Sequence, residues 1–282
     1  MSMVIAHTRA ELDTARDAGG GRLAVGRTMG ALHDGHLRLI DAARDAADVV
    51  LVTIFVNPLL FGPGEDLGRY PRDLERDLAL CQSRGVAVVF APSVEEMYPP
   101  GRSVPRITAG ELGTRLEGKV RPTHFDGVLT VVAELLRLTR PDVAVFGEKD
   151  AQQLELIRRM VASEGLPVEI LGVPTVREPD GLALSSRNAY LDAEQREHAL
   201  ALSRALNAGA AVAPQGSAAV LSRAHEVLAT TPQLVVDYVA LLDAATWREP
   251  TDETRVGRLL VAARVGSTRL IDNVTVELGA GA

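Results

Sequence analysis

Two histidines stand three residues apart in "GRTMGALHDGHLRLI" (26–40), in a chain with six histidines in all. A neutral imidazole carries one N–H donor and one acceptor, so a pair at this spacing suits a metal ion, a phosphate, or a solvated helix face. The metal reading is poor, because no third or fourth ligand accompanies His33 and His36. Two ordinary surface histidines remain open on local grounds. The phosphate reading has more behind it. The pair follows an apolar run, Gly35 lets backbone approach a ligand, and His36 opens a helical pattern whose free N–H groups favour an anion.

A second stretch, "FGEKDAQQLELIRRM" (146–160), repeats this order of strand end, glycine, charged turn and helix. It contains Lys149. The chain has 30 basic residues, and only Lys119 and Lys149 are lysine. Where charge alone matters this chain uses arginine, so a remaining lysine is a candidate for chemistry that needs a compact ammonium. A solvated Glu–Lys–Asp turn is the plain alternative. On the functional reading Lys149 meets a nucleotide phosphate, Asp150 is a helix N-cap or a nucleotide contact, and Gln152 and Gln153 enter the same cleft. A third stretch, "PTVREPDGLALSSRNAYL" (174–191), places Arg177, Ser185, Ser186 and Arg187 in a polar loop. It reads either as a linker or as a grip on a triphosphate.

The elements that must position these groups follow from periodicity. "RLAVG" (22–26) and "VVLVTIFV" (49–56) read as buried strands flanking a helix over 35–47, a βαβ unit. The alternation continues with a helix around 73–84, "VAVVFAP" (86–92), a helix around 125–138, "VAVFG" (143–147), a helix over 150–164 and "VEILGVPTV" (168–176). This is a doubly wound α/β sheet, with its ligand expected at the carboxyl ends of the strands. After residue 176 the texture changes to two alanine-rich helices and three strands, an α+β module in which Gly266 and Ser267 form a turn. The expected domains are 1–175 and 176–282.

Composition excludes several classes. A net charge of −7 argues against a protein that tracks nucleic acid. No apolar run approaches a membrane span, and the first residues lack a secretion pattern. Cys81 is the only cysteine, which rules out an internal disulfide and agrees with a reducing cytoplasm. Its setting, "LERDLALCQSRG", reads as the buried side of a helix.

The blocks "TMGALHDGH", "IFVNPLLFGPGEDLGRYPRDLERD", "RPTHFDGV", "FGEKDAQQL" and "PTVREPDGLALSSRNAYL" occur in the order of the pantothenate synthetase (pantoate–β-alanine ligase) family, which this chain resembles over residues 22–191; "LLVAARVGSTRLIDN" resembles its C-terminal end. The resemblance implies a Rossmann-like domain of the nucleotidyl-transferring HxGH superfamily with a smaller C-terminal lid, in a cytoplasmic homodimer. It implies an ATP- and Mg2+-dependent ligase that joins pantoate to β-alanine through an acyl adenylate. By the same resemblance His33, His36 and Lys149 are catalytic. Thr28, Met29, Gly30, Gly35, Gly147, Asp150, Val176, Leu184, Ser185, Ser186 and Arg187 lie along ATP. Asn57, Arg121 and Gln153 belong to the acid and amine pocket, and Asp77 lies near magnesium.

Two departures fall in that pocket. Arg27 stands where the family usually has proline, and Leu60 where it usually has a glutamine that holds pantoate. Ala151 and Arg76 are lesser differences. Either the family tolerates the changes, or Leu60 and Arg27 adapt the pocket to another acid. A nucleotide-binding paralogue without catalysis is a third reading, disfavoured because His33, His36, Lys149, Ser185 and Arg187 are all retained. A tRNA synthetase would need a basic tRNA-binding region, and a nucleotidylyltransferase has no reason to carry the later blocks.

Overall fold

The computed structural model describes residues 3–61, 66–101 and 104–279. Residues 62–65 of the second quoted block lie outside them. The chain divides into two compact units, Met1–Pro174 and Thr175–Ala282.

The first unit holds strands β1 (Val4–Ala6), β2 (Leu23–Thr28), β3 (Val49–Ile54), β4 (Val88–Phe90), β5 (Val143–Gly147) and β6 (Glu169–Val173). They form one parallel sheet in the order β1-β4-β3-β2-β5-β6. Its helices are α1 (Arg9–Asp17), α2 (Asp34–Ala46), α3 (Leu74–Ser83), the short α4 (Val94–Met97) and α5 (Glu117–Val120), α6 (His124–Thr139) and α7 (Ala151–Ser163). Strand side chains alternate between the two faces. Ala24, Val50, Val52, Val89, Val143 and Val145 pack one face against Leu37, Ile40 and Ala43 of α2 and Cys81 of α3. Cys81 is therefore core, and burial pushes its thiol up to about 12, where it is inert.

The strand order explains where a ligand belongs. From β2 the chain moves outward through β3 to β4, then returns to the other side of β2 for β5 and β6. The connections leaving β2 and β5 run in opposite directions, and a crevice opens at the carboxyl ends of such a pair. Both charged turns singled out by sequence fall there, after β2 and after β5.

Periodicity missed the short α4 and α5 and the N-terminal β1–α1 pair. β1 is a three-residue edge strand, too short to show a period. For α1 there was a signal: Thr8 and Glu11 form a reciprocal capping box at its start.

The second unit contains α8 (Ala193–Ala211), α9 (Ser217–Ala229) and an antiparallel sheet of β7 (Leu234–Asp243), β8 (Val256–Val265) and β9 (Thr268–Glu277) in that order. Leu202, Leu206 and Val220 of the helices and Leu241, Leu259 and Val261 of the sheet share one core. Gly266, at φ 57°, opens the two-residue turn between β8 and β9, where glycine relieves the left-handed backbone. No helix among the described residues is long and apolar enough to cross a membrane.

Candidate active site

The turn after β2 is built to hold two imidazoles still. Gly30 takes φ 81°, and a Cβ there would lie 2.9 Å from an Asp77 carboxylate oxygen, so no other residue fits without displacement. Asp77 is buried beneath the turn on α3 and accepts hydrogen bonds from the Ala31 N–H at 2.9 Å and the Leu32 N–H at 2.7 Å, one on each oxygen. Thr28 adds a hydroxyl that donates to the Thr53 carbonyl and accepts from the Gly30 N–H.

His33 caps α2: its Nδ1 accepts from the Gly35 N–H at 3.1 Å. His36 Nδ1 in turn accepts from the His33 N–H at 3.3 Å. These two bonds form a capping box made of histidines. An Nδ1 that accepts carries no proton, so the neutral ring of each histidine keeps its proton on Nε2 as a donor. The ring centroids are 4.1 Å apart. Burial lowers the pKa of both, the Lys149 charge lowers both further, and His36 falls to about 3. At neutral pH the site presents two neutral Nε2–H donors with an ammonium close by.

Lys149 reaches this place from the turn after β5. Gly147 ends the strand with open space at its Cα, and Glu148–Asp150 make one 3-10 turn before α7. Asp150 occupies the N-cap position of α7 without a side-chain capping bond, and its field reaches Arg27 instead. Met29 is half-buried in the turn after β2, and Gln153 is half-buried on α7.

Arg27 leaves β2 on the face opposite the α2 core, and Tyr98 lies near both Arg27 and Asn57, which follows the end of β3. Asn57 is buried; its Oδ1 accepts from the Leu59 N–H at 3.2 Å and from the Tyr98 hydroxyl at 3.1 Å. Its Nδ2, like Arg27 Nε, is buried without a hydrogen-bond partner among the described residues. Burial lowers the Arg27 guanidinium to about 10, partly offset by Asp150, Tyr98 and Tyr70, so it remains a cation at neutral pH. The Leu60 carbonyl accepts from Arg121 Nη2 at 3.0 Å and from His124 Nδ1 at 3.1 Å, and Arg121 Nη1 lies 2.9 Å from His124 Nε2. A carbonyl only accepts and a guanidinium only donates, so His124 is the neutral Nδ1–H tautomer that props Arg121 in place.

Within the second unit, Val176 and Leu184 face each other across a short hairpin, where the Leu184 N–H donates to the Val176 carbonyl at 2.9 Å. Ser185 caps the 3-10 turn Ser186–Tyr190 by accepting from the Arg187 N–H. Arg177 is committed elsewhere: both Nη atoms bind the buried Asp272 carboxylate, at 2.6 and 2.9 Å. Its Nη groups also donate to the Gly181 and Asn273 carbonyls, which stiffens the loop.

A family model described as pantoate-beta-alanine ligase matches residues 2–275. The chain belongs to the pantoate–β-alanine ligase family. Among its relatives, the pantothenate synthetase of Salinispora arenicola is 57% identical over 277 residues, covering 97% of this chain and 98% of that protein. That of Thermobifida fusca is 54% identical over 285 residues, covering 98% and 96%. Among solved structures, pantothenate synthetase from Thermus thermophilus superposes with a TM-score of 0.91 at 50% identity, covering 96% of this chain and 99% of that one. The pantoate–β-alanine ligase of Francisella tularensis, complexed with beta-gamma ATP and β-alanine, gives 0.80 at 34% identity, covering 97% of each.

Two expectations for this ligase chain meet added geometry. Asp77, expected near magnesium, also accepts a backbone N–H on each of its oxygens inside the protein and so holds the turn in place. No cluster of three or more His, Cys, Asp or Glu side chains suited to a metal occurs among the described residues. Gln152 does not enter the cleft. It is buried, with its amide spent on the Leu112 and Arg115 carbonyls and its oxygen on the Glu117 N–H. Sequence reasoning missed Tyr98, Tyr70 and His124, which surround or brace the pocket. The available signal was scarcity, since the chain has only four tyrosines.

Proposed function

We propose that the protein is an AMP-forming ligase that condenses pantoate with β-alanine at the expense of ATP. The observation that carries this is the family match over nearly the whole chain, with relatives that share both units at 54–57% identity. The altered-acid reading is not favoured by relatives of that name at that identity, and loss of catalysis is disfavoured by the retained histidine pair and lysine.

In the first step the pantoate carboxylate attacks the α-phosphorus of ATP, a P–O bond breaks, and pyrophosphate leaves. In the second the β-alanine amine attacks the acyl carbon, the C–N bond forms, the amine loses a proton and AMP leaves. Neither step needs a protein nucleophile, so catalysis rests on positioning and on neutralising charge on the leaving groups. The Nε2–H donors of His33 and His36 and the Lys149 ammonium suit phosphate oxygens. His36, neutral with its proton on Nε2, acts as a hydrogen-bond donor to that charge. Thr28, Met29, Gly30, Gly35, Gly147 and Asp150 line the nucleotide path. Val176, Leu184, Ser185, Ser186 and Arg187 are its contacts from residues 176–282, the lid in this reading, with residues 1–175 as the ATP- and substrate-binding domain. Asn57, Leu60, Arg121 and Gln153 take the acid and the amine. Mg2+ arrives with ATP as part of the substrate. A cytoplasmic homodimer completes the proposal, and its mass in solution follows from light scattering.

The test is incubation of the purified protein with ATP, Mg2+, pantoate and β-alanine, following AMP and identifying the product by mass. Pantothenate formed in step with AMP, and little changed by Leu60→Gln, is expected. Turnover with another hydroxy or keto acid in place of pantoate would overturn the assignment of the acid.

A further inference from the structure

Three buried polar atoms without a hydrogen-bond partner among the described residues gather at one end of the sheet: Arg27 Nε, Thr53 Oγ1 and Asn57 Nδ2. Arg27 and Thr53 are register partners on adjacent parallel strands, so their side chains leave the same face. Asn57 follows four residues later, where β3 has ended. Its amide orientation is set, because the two donors held by Oδ1 leave the NH2 group turned away from them. Tyr98 ties the group together by donating to Asn57 while sitting within the field of Arg27.

Native proteins seldom leave buried donors unpaired, since each forfeits its bonds to water. Two of these atoms only donate and the third donates or accepts. A permanent cation stands among them. The group that satisfies all three is an anion rich in acceptors, and a carboxylate fits.

We propose that Arg27 is the carboxylate-binding residue of this chain: its guanidinium, with the Asn57 amide and the Thr53 hydroxyl, holds the carboxylate of the acid substrate. The proposal rests on the reading that the chain activates pantoate. β-Alanine also brings a carboxylate, but Arg27 lies two residues before Met29 on the strand that runs into the histidine turn. The carboxylate held there is the one that must meet the α-phosphorus. Arg27 then supplies from β2 the polar grip that apolar Leu60 does not supply from the turn after β3.

The experiment compares KM for pantoate, β-alanine and ATP in the wild type, Arg27→Met and Arg27→Lys, with the neutral amide of pantoate as a competitor. Loss of a hydrogen bond to a charged group predicts a rise in pantoate KM of about 10- to 150-fold in Arg27→Met. The KM values for ATP and β-alanine stay within about twofold and Arg27→Lys recovers part of the loss, as expected for a charge that is moved and not removed. The wild type prefers pantoate over its amide, and Arg27→Met loses that preference. Unchanged pantoate KM in Arg27→Met, a rise confined to β-alanine, or equal wild-type affinity for pantoate and its amide would each overturn the proposal. The last of these needs no variant, so a misfolded Arg27→Met leaves it testable. A wild type that fails to consume pantoate at all overturns the proposed function instead.

Discussion

The histidine turn and the acid pocket sit side by side at the ends of β2 and β3, yet they treat polar groups in opposite ways. In the turn, the Ala31, Leu32, His33 and Gly35 N–H groups are each met by a side chain, and the imidazole nitrogens that meet them are thereby fixed. In the pocket, three buried polar atoms are left unmet among the described residues. A satisfied network is rigid and contributes to stability, whereas an unsatisfied one costs stability until a ligand arrives. The turn is thus a frame that aims two donors, and the pocket is a set of donors whose partner comes from outside.

The largest effect that would test this contrast is on chemistry. His36→Ala removes both an aimed donor and a capping acceptor, and kcat should fall by about 100- to 1000-fold, the usual loss for one donor to developing charge. A kcat within about tenfold of wild type would break the assignment of the turn to the phosphates. Asp77→Ala orphans two N–H groups and should cost about 2–5 kcal/mol of stability, read by chemical denaturation. If Asp77 served a metal instead, folding would be unaffected and only the magnesium requirement would change. Gly30→Ala forces a Cβ onto Asp77 in a left-handed backbone and should cost about 1–3 kcal/mol in the same assay.

The pocket should answer with the opposite sign. Thr53→Val replaces an unpartnered hydroxyl with a methyl of similar size, so stability should stay level or rise by up to about 1 kcal/mol while pantoate KM increases. Lower stability would show that the hydroxyl is already satisfied in the free protein.

The last test is of pH dependence. Both histidines titrate below the ordinary value, His36 near 3, so the unfolded chain binds more protons between about pH 3 and 6.5. Stability should therefore fall as pH drops through that window, and kcat/KM should show no acid limb near 6.5. A limb at about 6.5 that disappears in His33→Gln would mean that the ring of His33 is not held as a neutral acceptor.

Much of the fold was legible. Valine-rich runs with helical stretches between them set the parallel sheet, and the two-residue Gly266–Ser267 turn set the last hairpin, because both depend on local periodicity and backbone chemistry. The candidate site was legible in part. The types and positions of His33, His36 and Lys149 marked two βα turns, but their roles did not follow from type. Asp77 was placed near magnesium by the resemblance alone; its hold on two N–H groups of a turn some 45 residues away is a matter of packing. Residue type alone sent both Gln152 and Gln153 to the cleft and only the resemblance singled out Gln153; a helix turns neighbouring residues about 100° apart, which sent Gln152 into the core.

The sequence by itself determined the order of the longer strands and helices after residue 22, the family and the set of groups available for adenylation, since these rest on local pattern and on residue type. Only the tertiary structure decided which nitrogen of each histidine carries the proton, that Arg177 is spent on Asp272, and that Arg27 and Asn57 keep donors free. Those outcomes turn on which partner a polar atom meets across the fold, and a hydrogen bond between distant residues leaves no mark on either residue's local sequence.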